Sequence, residues 1–595
     1  MGLSTSEINT LVASYKAELT EKLVTPLTED KEEYTSRDTA YTELLSYVKT
    51  LKETLKSFTA TGTDSIFSYK TTSSSDEDYV TATAENGATS GSYSIEVEQL
   101  AKNDTVLSTA LASTTTASVT AGTHTFQIVT GDGGTGQYVS NIEVEFDGTE
   151  TNEEMMEAIQ EAINSDKAEV TSDAETADTT YSGGSAEFVI NLNGTEKTIK
   201  VDGGGTYEDL IEEVVAYVND KVTGVTAEKV TDSSGNVSVK FSVDDSSDYI
   251  SIYNADDYTG YDLVSDLGIE VTQEKAASGI VTASLYAPSS GYTQLSLTAE
   301  DTGVDSRIEL ISDDSGSSAL SSVGLNLGSS RTDYSQSSNT AGFLYSDITE
   351  DNNLLNARLS VNGVSMQNTS NSVSDVVEGL TINLKSVTET DDPVTITVGI
   401  DTETIQTEIE TFITDFNNVY TYVKNNTSVD SDGAKGTLYG QINATTLMRI
   451  LSGNATGEVD GLGDDALSYL SQIGITFDST SGLTLDDSDL LEDKLENNLD
   501  EVNELFTSED GIATVLYSKV KPYTGYGGYL QIAQESIEDK ISSITDEIEE
   551  REERIEEKSE AYRAKYQNLQ SQLAALYTLQ NEFFGGSNSI TSLFT

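Results

Sequence analysis

Thirty-seven consecutive residues without glycine or proline, IEEREERIEEKSEAYRAKYQNLQSQLAALYTLQNEFF, run from Ile548 to Phe584. A helix of that length cannot bury its own apolar side, so it needs partner helices from its own chain or from another molecule. Ile541, Ile548, Ile555, Tyr562, Leu569, Leu576 and Phe583 recur every seven residues. That spacing predicts a left-handed supercoil seam. The second series of the same heptad reads Ile537, Ile544, Arg551, Lys558, Lys565, Gln572 and Leu579, so the seam narrows in its middle.

Two further segments carry matching patterns. Near the start, Tyr34, Tyr41, Val48 and Leu55 form one seven-residue series, and Leu44, Leu51 and Phe58 form the other. Before Pro26 a shorter stripe runs through Ile8, Leu11, Val12, Tyr15, Leu19 and Leu23, and Thr25-Pro26 predicts a kink or restart. In DTETIQTEIETFITDFNNVYTYV, residues Ile405, Ile409, Phe412, Phe416, Val419 and Val423 alternate steps of four and three. The expectation is an inner bundle in which Ile409, Phe412, Phe416 and Val419 meet Tyr41, Leu44, Val48, Leu51 and Leu55. Ile541, Ile544 and Ile548 would close that group. The ends, residues 1–32 and 560–595, lack an obvious partner, so Ile8, Leu11, Val12, Tyr15, Leu19, Leu23, Leu569, Leu576, Leu579 and Phe583 are candidate assembly residues.

Between these helices the chain is rich in Thr, Ser, Gly, Val and Asp with frequent turn signals, which reads as β structure. GSYSIEVEQLA alternates Tyr93, Ile95 and Val97, the pattern of a half-buried strand. A weak repeat stands out: the segments 142–170 and 198–225 both read strand, Asp-Gly turn, acidic helix start, amphipathic helix, strand. SDLGIEV and SSVGLNL are candidate equivalent module ends. The fold class is therefore α+β multidomain, with terminal heptad helices and an inserted β-rich head of two or more α+β modules.

Composition excludes several functions. The 102 acidic against 32 basic residues give a formal net charge of −70, the wrong sign for nucleic acid or an anionic membrane surface. With no cysteine and one histidine, His124, the usual zinc sites and His-dependent dyads are not available. The glycine-rich GDGGTG and VDGGGT lack a following Gly-Lys-Ser/Thr, and DSDG at 430–433 lacks the ligand ladder of a calcium loop. DDSDLLED at 486–493 reads as the solvated start of a helix. No catalytic, cofactor or metal residue is singled out, and the chain is read as non-enzymatic. The N-terminal MGLSTSEINTLVASYKAELTEK lacks the layout of a Sec signal peptide, and no apolar run approaches the ~20 residues of a membrane helix.

Three phrases, in order, resemble the bacterial flagellar filament cap family, also called hook-associated protein 2. The first is IFSYKTTSSSDEDYVTATAENGATSGSYSIEVEQLA, within residues 7–101. The second is LSVNGVSMQNTSNSVSDVVEGLTINLKSVTETDDPVTITVGIDTETIQTEIETFITDFNNVYTYV. The third is LSQIGITFDSTSGLTLDDSDLLEDKLENNLDEVNELF, followed by the long terminal helix. The chain departs from the family in lacking a Gly-Ser-rich opening and in its weakly matching 106–345.

The resemblance implies a non-enzymatic, cofactor-free cap at the distal end of the filament that promotes insertion of exported flagellin. It implies a homo-oligomeric ring, commonly a pentamer, with terminal helices as legs. Flagellin, the hook–filament junction protein and a type III export chaperone are the implied partners. The implied location is extracellular, after export through the flagellar type III channel without a cleaved signal. The implied division is 1–32 with 560–595 as leg, 33–105 with 346–559 as stalk, and 106–345 as head. Another axial subunit (flagellin or junction protein) and an adhesin displaying the head are the competing readings. From net charge alone, self-repulsion should fade with salt, so a ring should become more stable as salt rises.

Overall fold

The computed structural model describes residues 4–131, 136–255, 261–348, 353–390, 392–463 and 466–584. The chain forms two compact units. The helical unit takes residues up to 71, 85–87 and everything from 399 onward; the β-rich unit takes 72–84 and 88–398. The division thus falls elsewhere than expected at 105 and 346. The strands Val80–Ala84, Gly91–Gln99, Ala357–Val361, Leu380–Leu384 and Val394–Ile400 pair with one another rather than with the helices.

In the helical unit, Thr5–Leu23 opens with a capping box between Ser4 and Glu7. The chain breaks at Val24 alone and resumes as Thr25–Phe58 with Pro26 in its first turn, where a missing N–H costs nothing. The middle helix Thr402–Thr427 is capped by Asp401, whose carboxylate accepts from the Thr404 N–H at 2.9 Å. The terminal helix Tyr529–Phe584 has 56 residues, roughly 84 Å at 1.5 Å per residue. Shorter helices Ile442–Thr456, Ser488–Asn497, Leu499–Thr507 and Ile512–Thr524 complete the unit.

Tyr41, Leu44, Val48, Leu51 and Leu55 share one core with Ile409, Phe412, Phe416 and Val419. Phe58 lies 5.7 Å from Phe412 and 5.2 Å from Phe506, ring centre to ring centre. Contacts of Tyr422 with Ala40 (3.1 Å) and of Asp415 with Thr54 (2.6 Å) show the middle and second helices running antiparallel. Ile537 belongs to this core and Ile541 packs at its edge. Ile544 is buried and Ile548 half-buried, but neither joins the cluster, contrary to the expected closure. The middle helix ends at Thr427, little more than one turn past the Tyr422–Ala40 contact, so three layers become two.

Gly474 of the Ile-Gly-Ile phrase has φ +81°, and a Cβ there would sit 2.2 Å from the Asp487 carbonyl oxygen. That close approach seats Asp487 as the cap of Ser488–Asn497, so DDSDLLED is a capped helix start. DSDG is a turn in which Asp430 Oδ1 accepts from the Asp432 and Ala434 N–H groups at 2.9 and 2.8 Å.

Among the described residues the β-rich unit holds three cores. One lies between the five-stranded sheet containing Gly91–Gln99 and Val394–Ile400 and the three-stranded sheet containing Val80–Ala84; Ile95 and Val97 face it. The other two are the repeated modules. In the first, Gly122–Thr130 and Tyr138–Phe146 form a hairpin, Asp147-Gly148 turns, Thr151 and Glu154 make a capping box, and Asn152–Ser165 covers the hairpin before Glu169–Thr171. In the second, Ala186–Leu192 and Thr195–Val201 precede Asp202-Gly203, the Thr206–Asp209 capping box, Tyr207–Lys221 and Val225–Thr231. Short helices ending at the left-handed glycines Gly268 and Gly324 occupy SDLGIEV and SSVGLNL. Both hairpins enter one seven-stranded sheet, joined through Tyr249–Asn254 and Val271–Lys275; the latter pairs in parallel with Tyr138–Phe146.

His124 is a buried strand residue. Its Nδ1 accepts from the Ser318 N–H and its Nε2 donates to the Thr120 carbonyl, both at 2.9 Å. Fully buried Asp104 accepts two hydrogen bonds from Arg331 (2.7 and 2.8 Å) and one from the Ile308 N–H (2.9 Å). Arg331 also stacks 4.0 Å from the Phe343 ring, so one ion pair ties four separate segments of this unit.

Candidate assembly surface

The terminal helix does not wait for an outside partner along its whole length. Gln534 donates to Thr42 (2.8 Å), Glu556 pairs with Lys16, and Arg563 donates to Asn9 (2.9 Å), so the helix runs antiparallel along the second helix and then the first. Tyr15 stacks on Tyr562 with ring centres 4.4 Å apart, and the Tyr562 hydroxyl donates to that of Tyr566. Ile8, Val12 and Ile555 are buried; Leu19 and Leu23 are half-buried; Leu11 is exposed. The first helix, expected to lack a guaranteed partner within the chain, has one in the terminal helix.

The seam also shifts. Beyond Ile555 the buried line passes through Ser559, Tyr562 and Tyr566 instead of Lys558 and Lys565. A helix of 3.6 residues per turn drifts from a 3.5-residue repeat, and the drift carries the contact face round by one position.

The first helix begins at Thr5, and the register set by Arg563 and Asn9 carries the terminal helix past it from about residue 569. Leu569, Leu573, Leu576, Tyr577, Leu579 and Phe583 are exposed there, Leu576 by 61% and Phe583 by 82%. Of the candidate residues, the structure thus gathers Ile8, Val12 and Tyr15 into an internal pair and leaves Leu569, Leu576, Leu579 and Phe583 uncovered. Sequence reasoning missed Leu573 and Tyr577, which flank the predicted series at helical spacing. An isolated helix gains most of its stability from packing an apolar face, and here that face is exposed.

A second polar feature lies in the head. Glu274 is buried and accepts from the Asn141 N–H (3.0 Å) and side-chain amide (2.8 Å). Burial pushes its carboxyl up to about 7, with neighbouring Asp166 adding to the rise. Asp166, which accepts from the Ala277 N–H at 2.7 Å, is itself pushed up to about 6 by burial. Among the described residues no grouping of three or more His, Cys, Asp or Glu is placed to hold a metal, and no helix is long and apolar enough to cross a membrane.

Two family models match: the flagellar hook-associated protein 2 N-terminus over residues 4–104 and its C-terminus over residues 355–577. The A-type flagellar hook-associated protein 2 of Pseudomonas aeruginosa is 28% identical over 323 residues, 53% of this chain and 63% of that protein. The flagellar hook-associated protein 2 of Salmonella typhimurium is 26% identical over 229 residues, 37% of this chain and 48% of that protein. The matched span is thus less than two thirds of either relative. The solved D1-D2-D3 domains of the flagellar cap protein FliD from Escherichia coli align with 84% of this chain and 99% of that one, at 20% identity and a TM-score of 0.43. The N-terminal and C-terminal matches together take in more than half of the sequence, in order and on either side of the repeated modules, and the chain belongs to the flagellar hook-associated protein 2 family.

Proposed function

We propose that the chain caps the distal end of the bacterial flagellar filament and promotes insertion of exported flagellin, as a structural protein without catalysis. The single observation that carries this reading is the pair of family matches at the two ends of the chain. The uncovered stripe from Leu569 to Phe583 supports it, since a cap must hold subunits it does not bond covalently. In this reading 1–32 and 560–595 form the leg, the second and middle helices its base, and the head modules a plate. The protomers form a ring, by the family resemblance a pentamer, outside the cell, after type III export without a cleaved signal. Flagellin, the hook–filament junction protein and an export chaperone are its partners. The competing readings of an axial subunit and an adhesin draw no support from the family match.

The test is deletion and complementation in the source bacterium. Loss of the protein should release flagellin monomers into the medium and leave hooks without filaments; the full chain should restore filaments. Normal filaments in the deletion strain would overturn the reading.

A further inference from the structure

The two repeated modules are joined by two chain crossings, and a carboxyl group stands at each. Ile163, near the end of the helix Asn152–Ser165, lies in the core of the first module, and Ala168 lies in the core of the second. Asp166 stands between them. The chain returns after Ile269, still in the second core, and re-enters the first at Ala277. Glu274 stands on that return. The second module is therefore an insertion in the first, carried on two linkers. The linkers are tied to each other, because the Ala277 N–H donates to Asp166 at 2.7 Å. Two linkers side by side are the geometry of a hinge.

The seam across these linkers is thin and polar. The two modules keep separate buried cores. Among the described residues, Val271–Lys275 meets Tyr138–Phe146 through one backbone pair, Glu274 with Val139, whereas the hairpins inside the modules hold nine and seven pairs. Side chains supply the rest. The Ser140 hydroxyl donates to the Lys275 carbonyl, and the Asn141 N–H and side-chain amide both donate to Glu274. Tyr138 meets Tyr249 at 5.5 Å, ring centre to ring centre. A polar cleft of about 580 Å³ opens along the seam, lined by Asn141, Ser165, Asp166, Glu169 and Lys240 among others.

We propose that this seam is a proton-operated latch, which holds the two modules as one body while Glu274 and Asp166 keep a proton and lets them swing about the linkers once both are ionised. The groups around Glu274 set the sign. It is 2% exposed, and its partner on the strand Tyr249–Asn254 is the uncharged Ile250. From Tyr138–Phe146 the titratable groups at the seam are Tyr138 and Glu143; from the first linker and the strand after it they are Asp166, Lys167 and Glu169. The cations are engaged or outside: Lys275 lies over the Tyr138 ring at 4.8 Å, Lys240 pairs with Glu169 at 2.5 Å, and Lys167 is exposed. Two neighbouring carboxyls withdrawn from water resist ionising together. Burial raises Asp166 to about 6 and Glu274 to about 7, with Asp166 adding to the rise of Glu274. The closed seam thus binds protons more tightly than an open, hydrated one. The latch is complete near pH 4 and is lost as pH rises through about 6 to 7. Opening here hydrates both carboxylates and breaks one backbone pair, whereas unfolding either module breaks a whole hairpin. The inference does not depend on the capping reading.

The test uses the full chain, which has no native cysteine, spin-labelled at Glu161→Cys and Ser234→Cys, one exposed site in each module. Double electron–electron resonance should give one narrow distance at pH 5. At pH 8 the distribution should broaden or shift, with a midpoint between about pH 6 and 7.5. A second pair inside the first module, Glu161→Cys/Thr123→Cys, should keep its distance at both pH values. Adding Glu274→Gln/Asp166→Asn to the first pair should keep its distance narrow at pH 8. Hydrogen exchange of the unlabelled wild type decides the matter should that variant not fold. Corrected for intrinsic rate, protection of the Asn141 amide should fall at least tenfold from pH 5 to pH 8, and that of Phe126 and Ile128 in the middle of the sheet should not. An unchanged distance in the first pair, an equal change with Gln and Asn in place, a change in both label pairs together, or equal loss of protection at Asn141 and Ile128 would each overturn the proposal.

Discussion

Replacing Glu274 by glutamine should stabilise the β-rich unit at pH 8 and leave it nearly unchanged at pH 5. The carboxyl sits in the interior beside Asp166, and burial raises it from 4.5 to about 7. The folded state therefore holds this proton more tightly than the unfolded chain. The stability it contributes is complete below about pH 4.5 and is lost as pH rises through about 7. For a single group with those two values the loss between pH 5 and pH 8 is on the order of 2–3 kcal/mol. Asp166, raised to about 6, titrates in the same window, so the pair shares the effect. Glutamine keeps the shape and remains neutral. The Gln127–Asn141–Glu274 chain, linked at 3.1 and 2.8 Å, accepts it by reversing the two amides. Scanning calorimetry of both proteins at the two pH values measures the difference, and hydrogen exchange of the strand Val271–Lys275 locates it. Taking the difference between variant and wild type cancels the general repulsion of a chain with net charge −70. An equal shift in melting temperature at both pH values, or a variant less stable at pH 8, would refute the reasoning.

Phe416→Ala should cost about 3–5 kcal/mol in urea unfolding of the helical unit, because the ring is fully buried among aromatic neighbours. Arg331→Met should cost about 3–5 kcal/mol in the β-rich unit by stranding the buried Asp104 carboxylate, and Arg331→Met/Asp104→Leu should recover much of that loss. Gly474→Ala should cost about 2 kcal/mol or more, from its positive φ and the contact with the Asp487 carbonyl, read as a lowered melting temperature. Leu569→Ser/Leu576→Ser/Leu579→Ser should change protomer stability by less than about 0.5 kcal/mol while abolishing filament growth in complementation, since those side chains touch solvent in the protomer.

Periodic features were legible because they depend on near neighbours in the chain. The heptads of the second and middle helices, the helix start at Asp487 and both head helices follow from spacing and from Thr-x-x-Glu/Asp boxes. Features that depend on three-dimensional reach were not. The switch from Lys558 to Ser559 as a buried position needs the drift of a real helix against an ideal heptad. The pairing of the first helix with the stretch around Glu556 to Arg563 needs the antiparallel register, which no apolar stripe states alone. Asp104 is one acid among 102, and nothing local marks it as the one that meets an arginine 227 residues away. The exposed stripe was half legible: Leu569, Leu576 and Leu579 announce themselves by spacing, whereas Leu573 and Tyr577 fall outside the seven-residue series.

The helical unit has a core drawn from the beginning, the middle and the end of the chain, with the β-rich unit inserted between Thr71 and Gly399. A chain released from its N-terminus completes these two units at different times. The repeated modules close on themselves once residue 398 has emerged. The second helix can meet the middle helix once residue 427 has emerged, but its flank against the terminal helix stays open until that helix arrives, nearly 500 residues after Thr42. Closing so long a loop adds only slowly to the entropic cost of the final state, but it delays the rewarding contacts. Completion of the helical unit is therefore timed by the arrival of the helix Tyr529–Phe584, long after the β-rich unit has closed.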